Sequence, residues 1–98
     1  MAIEGVYNIK LQTPLGFMKA VVEMHEKGGT CSGQITCLDS KAPFENGEVN
    51  GSHFKFHAVM PTPIGKINFD MEGSVDGDSF QAITDSTLGH ITVTGERA

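Results

Sequence analysis

From Tyr7 onward, apolar and polar residues take turns along the chain. Tyr7, Ile9 and Leu11 are separated by Asn8, Lys10 and Gln12, and the same period of two runs through Met18-Ala20-Val22-Met24, Phe54-Phe56-Ala58-Met60, Ile67-Phe69-Met71 and Phe80-Ala82-Thr84. Successive side chains of a strand point to opposite faces, so this period marks strands buried on one side. Residues 16–27 hold Met, Ala, Val and Glu, which favour helix, but hairpin turns flank them and no window has helical periodicity. The pattern predicts eight strands, at about 4–12, 16–27, 30–38, 42–49, 52–61, 65–75, 78–85 and 89–96, joined by tight turns at short, regular spacing.

Two families of turn punctuate the strands. TPLG (Thr13 to Gly16) returns as TPIG (Thr62 to Gly65) and, weaker, as STLG (Ser86 to Gly89). The second pattern, Gly-x-Val-[Asn/Asp]-Gly-x-x-Phe, covers Gly47 to Phe54 and Gly73 to Phe80, and Gly28-Gly29 fills the equivalent place earlier. Asn50-Gly51 and Asp76-Gly77 are preferred two-residue hairpin loops, because both central positions tolerate positive φ. The two families therefore belong to opposite ends of one sheet.

Each turn imposes a register that can be checked against the pattern. A loop at Pro63-Ile64 pairs Met60 with Ile67, Ala58 with Phe69 and Phe56 with Met71, and sets Lys55 against Glu72 and His57 against Asp70 outside. Loops at Pro14-Leu15, Gly28-Gly29 and Thr87-Leu88 pair Leu11 with Met18, Met24 with Gly33 and Thr84 with Ile91. A loop centred on Asp76-Gly77 pairs Gly73 with Phe80. A slip of one residue would reverse the faces, so the agreement among these hairpins identifies a single apolar side. Phe80 facing Gly73 and Gly95, Phe54 facing Gly47 and Met24 facing Gly33 let a small sheet bend and close. Near Asn46-Gly47, Phe44 and Val49 share a face only through a β-bulge. The expected fold is all-β: a single eight-stranded antiparallel up-and-down β-barrel over residues 1–98, calycin- or lipocalin-like.

The predicted interior is Tyr7, Ile9, Leu11, Met18, Ala20, Val22, Met24, Cys31, Ile35, Cys37, Phe54, Phe56, Ala58, Met60, Ile67, Phe69, Met71, Phe80, Ala82, Thr84, Ile91 and Val93. It contains no aspartate, glutamate, lysine or histidine. General acid–base chemistry needs a titratable group in the pocket, which leaves only Tyr7 and the cysteines, so binding is expected in preference to catalysis. Eight strands enclose a space that side chains can just fill or that holds one small ligand, and both states stay open here.

Composition narrows the partners. The 98-residue chain has 12 glycines and no tryptophan, with 5 methionines and 6 phenylalanines supplying apolar bulk. Its formal charge of −5 argues against nucleic acid and against an anionic membrane, both of which select basic surfaces. With no signal segment and no bilayer-length apolar run, a cytoplasmic location is expected. Cys31 and Cys37 lie six residues apart in one strand, about 20 Å, so they cannot bond each other there and read as free thiols. His53 and His57 are about 13 Å apart in a strand, too far to share a metal. His57–Asp70 and Asp85–His90 resemble dyads but read as surface cross-strand pairs. No metal site and no cofactor is expected. Phe17, Val21, Val59 and Ile83 fall on the outer face, where a contiguous patch would form a homodimer or docking surface.

The repeated Thr-Pro-x-Gly and Val-[Asn/Asp]-Gly-x-x-Phe turns resemble those of a sparsely characterised group of small bacterial lipocalin-like (calycin-like) β-barrel proteins, over nearly the whole chain. Similar segments there occur beside or fused to flavin-dependent reductases. At fold level the chain is similar to lipocalins, fatty-acid-binding proteins and avidins, without the lipocalin Gly-x-Trp opening or the avidin biotin box, and no functional residue transfers. Two readings follow. In the first, a small apolar molecule sits among Tyr7, Phe54, Phe56, Phe69 and Met71, with Tyr7, Thr84 and Cys37 as orienting polar groups. The alternative is a closed-core module that dimerises or docks on an enzyme such as a flavin-dependent reductase.

Overall fold

The computed structural model describes residues 3–13, 16–37, 40–62, 65–86 and 89–98. Eight antiparallel strands form a closed barrel in chain order: β1 (Gly5–Thr13), β2 (Gly16–Lys27), β3 (Thr30–Cys37), β4 (Ser40–Asn50), β5 (His53–Thr62), β6 (Gly65–Asp76), β7 (Ser79–Ser86) and β8 (Gly89–Arg97). Pairing of β1 with β8 completes the cylinder, with Ile9 opposite Gly95 and Leu11 opposite Val93. The barrel measures 36 × 23 × 22 Å. The central residues of the TPLG, TPIG and STLG turns lie outside the described residues, but Thr13, Thr62 and Ser86 face Gly16, Gly65 and Gly89 as two-residue loops require.

The inward parity of each strand follows the sequence pattern because each apolar row must leave water together. Leu11 faces Met18, Met24 faces Gly33, Phe56 faces Met71, Ala82 faces Val93 and Thr84 faces Ile91. Two hairpins differ from expectation by two residues. Val75, not Gly73, faces Phe80, and Val49, not Gly47, faces Phe54. The loops are centred on Gly77-Asp78 and Gly51-Ser52, with positive φ at the glycine (62° and 65°) and none at Asn50 or Asp76. A loop needing one left-handed residue at its first position takes glycine alone, as type II′ turns do. A shift of two preserves every face. It also brings Val75 into the core, which further holds Ile3, Ala42 and Phe44 beyond the expected set.

Glycines set the closeness of the wall. A Cβ at Gly33 would strike the Glu23 carbonyl, and one at Gly95 would strike Asn8 and Ile9. Gly95 faces Phe80 as expected, whereas Phe54 faces Gly73 across β6. The bulge appears where parity required it: Cys31 pairs with Gly47 and Gly33 with Phe44, so β4 carries one extra residue, and Asn46 adopts φ 58°. Beyond this bulge the β4–β5 ladder stops, having run only over Glu48–Lys55, Val49–Phe54 and Asn50–His53. Side chains take over there, with Phe44 stacked on Phe56 at 3.7 Å and 10°.

The two ends of the barrel differ. At the glycine-turn end each loop or chain terminus is hooked to a neighbouring strand: Val49 N–H donates to Gly29 O, Val75 N–H to Ser52 O, Arg97 N–H to Asp78 O and Ala98 N–H to Val6 O. Ile3 fills the opening, fully buried, and the Tyr7 hydroxyl donates to its carbonyl at 2.7 Å. Tyr7, Phe80, Phe54 and Phe56 then form a chain of ring contacts with centroids 5.1, 5.3 and 6.0 Å apart. Such offset aromatic packing fills volume at interior density. This half is solid.

Candidate functional site

The opposite end is where the interior meets solvent. Leu11, Cys37, Met60, Ile67, Phe69 and Ile91 all have inward parity, yet each is only partly buried, and Met18, expected inside, is 39% exposed. The inward residues one step deeper, Ile9, Ala20, Ile35, Ala58, Met71, Ala82 and Val93, are buried. The exposure is therefore graded along one axis, and the result is an apolar mouth above a packed floor. Strands β1, β2, β3, β5, β6 and β8 each contribute a side chain because they all run to this end before turning.

The residues expected to hold a ligand divide between these halves. Cys37 and Phe69 reach the mouth, and Thr84 and Met71 lie just beneath it, buried. Tyr7, Phe54 and Phe56 belong to the packed aromatic half, where their faces are in contact with one another or with Phe44 and Phe80. The polar atoms have protein partners. Tyr7 donates to Ile3 O, Thr84 Oγ1 donates to Ile91 O at 3.4 Å, and Cys37 Sγ donates to Lys19 O at 3.7 Å. Leu11, Met18, Met60, Ile67 and Ile91 were legible as interior residues but not as mouth residues, since parity gives a face and not a depth.

Among the described residues no acid–base or nucleophilic constellation forms here. Burial pushes the thiols of Cys31 and Cys37 up, and Glu26 adds to the effect at Cys31. A thiol held protonated is a weak nucleophile. The expectation of an interior without carboxylates needs one correction. Glu26 shares the inward parity of Val22 and Met24, and its Oε1 is buried without a hydrogen-bond partner near the sealed end. It follows the last apolar residue of β2, where the sequence pattern gives no sign that the strand still faces inward.

On the outside, His57 Nδ1 and Asp70 Oδ1 are 2.8 Å apart and His90 Nδ1 and Asp85 Oδ1 are 3.9 Å apart, all well exposed. Asp70 and Asp85 face each other across β6 and β7, giving one His-Asp-Asp-His row over four strands. Among the described residues no group of three or more His, Cys, Asp or Glu side chains is arranged to hold a metal ion. The outer apolar residues are scattered. Phe17 is 72% and Ile83 54% exposed, but Gln12 and Thr92 stand between them in the same row, and Lys19 separates Phe17 from Val21. Val59 faces Asn68 on β6.

Comparison with known proteins supports the architecture. The chain is similar in fold to a redesigned β-barrel of solved structure, with a TM-score of 0.72 and 12% sequence identity over 99% of this chain and 92% of that one. No family model and no curated protein matches the sequence. The protein is an eight-stranded antiparallel β-barrel, sealed at one end and apolar at the other.

Proposed function

We propose that this protein binds a small apolar molecule in the mouth of its barrel, as a carrier or sequestering protein with no chemistry of its own. Phe69, Ile67, Met60 and Met18 supply the contact surface, Met71 and Thr84 form the floor, and Cys37 sits at the rim. Tyr7, Phe54 and Phe56 support that floor from below. The observation behind this reading is the gradient of burial among inward side chains: sealed at the glycine-turn end, half-open at the other. A barrel needing only a packed core would bring its apolar residues out of water at both ends. Methionines at the rim suit an adaptable apolar contact.

The test is titration with a neutral apolar fluorophore, N-phenyl-1-naphthylamine, alongside native mass spectrometry of freshly purified protein. Binding near one per chain is expected, with affinity about tenfold weaker in Phe69→Ala, the order of one buried aromatic contact. Unchanged affinity in a folded Phe69→Ala protein overturns the site.

A further inference from the structure

Charge on this barrel is divided along its axis. Lys41 and Lys66 each stand one residue inside the mouth-side end of their strands, and Lys10 and Lys19 face each other directly across β1 and β2. Like charges directly opposite in a ladder are unfavourable. None of these four lysines makes an ion pair with a described residue. Asp70 and Asp85, described carboxylates of this half, each lie beside an imidazole instead. The sealed half carries the negative excess, with Glu23, Glu48, Asp76, Asp78 and Glu96 among its carboxylates. In a chain of net charge −5, four of the six lysines that make no ion pair with a described residue, Lys10, Lys19, Lys41 and Lys66, thus lie in the half that carries the apolar opening, while Lys27 and Lys55 lie toward the sealed end.

Cation and apolar surface alternate along the same strands: Lys19 follows Met18, Lys66 precedes Ile67 and Lys10 precedes Leu11. The interior offers no counterpart. Arg97 is engaged at the sealed end with Glu4 O and Gly77 O, and the partly buried Glu26 lies toward the same end. The rim lysines would attract an anion, and Glu26 at the sealed end adds no pull toward the interior. We propose that the mouth selects an amphiphile with an anionic head, its apolar tail seated against Ile67 and Phe69 and its carboxylate, sulfate or phosphate held in solvent near Lys41 and Lys66. This rests on the reading of the mouth as an apolar binding site. The rim field also raises the encounter rate of such anions.

Three ligands with one tail separate the possibilities: dodecanoate, dodecanol and dodecyltrimethylammonium, each below its micelle concentration, by displacement of N-phenyl-1-naphthylamine. Dodecanoate is expected to bind roughly tenfold tighter than dodecanol in low salt, as a few exposed lysines acting together allow. The preference should largely vanish near roughly 0.5 M salt, where screening is effective within a few ångströms. Lys41→Glu/Lys66→Glu should weaken dodecanoate and spare dodecanol, whereas Lys27→Glu at the sealed end should change neither. Equal affinity for all three ligands overturns the head-group selection while leaving the apolar mouth intact. Displacement by none of them overturns both. Sedimentation with phosphatidylglycerol vesicles in the absence of monomer binding replaces the free amphiphile with a membrane surface and overturns the proposal.

Discussion

The Arg97 guanidinium lies over the Tyr7 ring, 5.0 Å from its centroid, and in that position joins the first strand to the last. Its Nη1 donates to Glu4 O at 2.6 Å and its Nη2 to Gly77 O at 3.3 Å. The contact with Asp78, whose side chain is 85% exposed, adds little. Arg97→Ala should cost about 1.5–3 kcal/mol in urea denaturation, from lost charge-assisted hydrogen bonds and the cation–π contact. Arg97→Lys should recover less than half, because an ammonium cannot bridge two carbonyls as a planar fork does.

Gly33 is the position least able to accept a side chain. Its φ is 152°, and a Cβ would run into the Glu23 backbone carbonyl and crowd the Phe44 ring. Since the obstacle is backbone, relief requires β2 and β3 to separate. Gly33→Ala is expected to destabilise the barrel by roughly 3 kcal/mol or more. A melting temperature within a few degrees of the parent protein would contradict this account.

Phe44 and Phe69 should behave oppositely on truncation. Phe44 closes the seam where the β4–β5 ladder ends, buried and stacked on Phe56. Phe44→Ala should lose about 3–5 kcal/mol, the range for an aromatic removed from a core. Phe69 is half-buried at the mouth, so Phe69→Ala should lose roughly 1 kcal/mol while carrying most of the binding effect. Paired measurements of denaturation midpoint and fluorophore affinity distinguish the two.

Alkaline pH should weaken the fold through three groups. Desolvation raises Cys31 and Cys37 above their ordinary 9.0, with Glu26 adding to Cys31, and desolvation raises Tyr7 above 10.0 despite the opposing influence of Arg97. Each prefers its neutral form in the native state. Their contribution is therefore fully present below the unfolded values and is lost as pH rises through the folded ones. The denaturation midpoint should hold up to about pH 9 and fall above it. Glu26→Gln should bring the Cys31 thiol partway down, read by its alkylation rate against pH. A midpoint that rises between pH 8 and 10 would contradict the assignment.

Much of the wall was legible in the sequence. The period of two set which face of each strand except β4 is apolar, and the spacing of Thr13–Gly16, Thr62–Gly65 and Ser86–Gly89 fixed three hairpin registers, because a short loop leaves few ways to pair its flanks. The parity break between Phe44 and Val49 located the bulge. Reading failed where a loop had two chemically acceptable centres. Asn50-Gly51 and Gly51-Ser52 both contain the needed glycine, and the choice depends on backbone twist rather than on residue type.

The candidate site was half legible for the same reason. Sequence placed Cys37, Phe69, Met71 and Thr84 on the inward face together with Tyr7, Phe54 and Phe56, but alternation carries no information about depth along a barrel axis. What sealed one end was contact between parts of the chain 93 residues apart, Arg97 with Glu4, and the burial of Ile3 under the Tyr7 hydroxyl. The sequence by itself determined the strands, their faces and most of their pairings, because those follow from local period and turn stereochemistry. Only the tertiary structure decided at which end the inward side chains are fully buried, that Glu26 Oε1 is buried near that end, and that Lys10, Lys19, Lys41 and Lys66 fall in the other half. Those are properties of closure, which brings together residues that no short-range pattern connects.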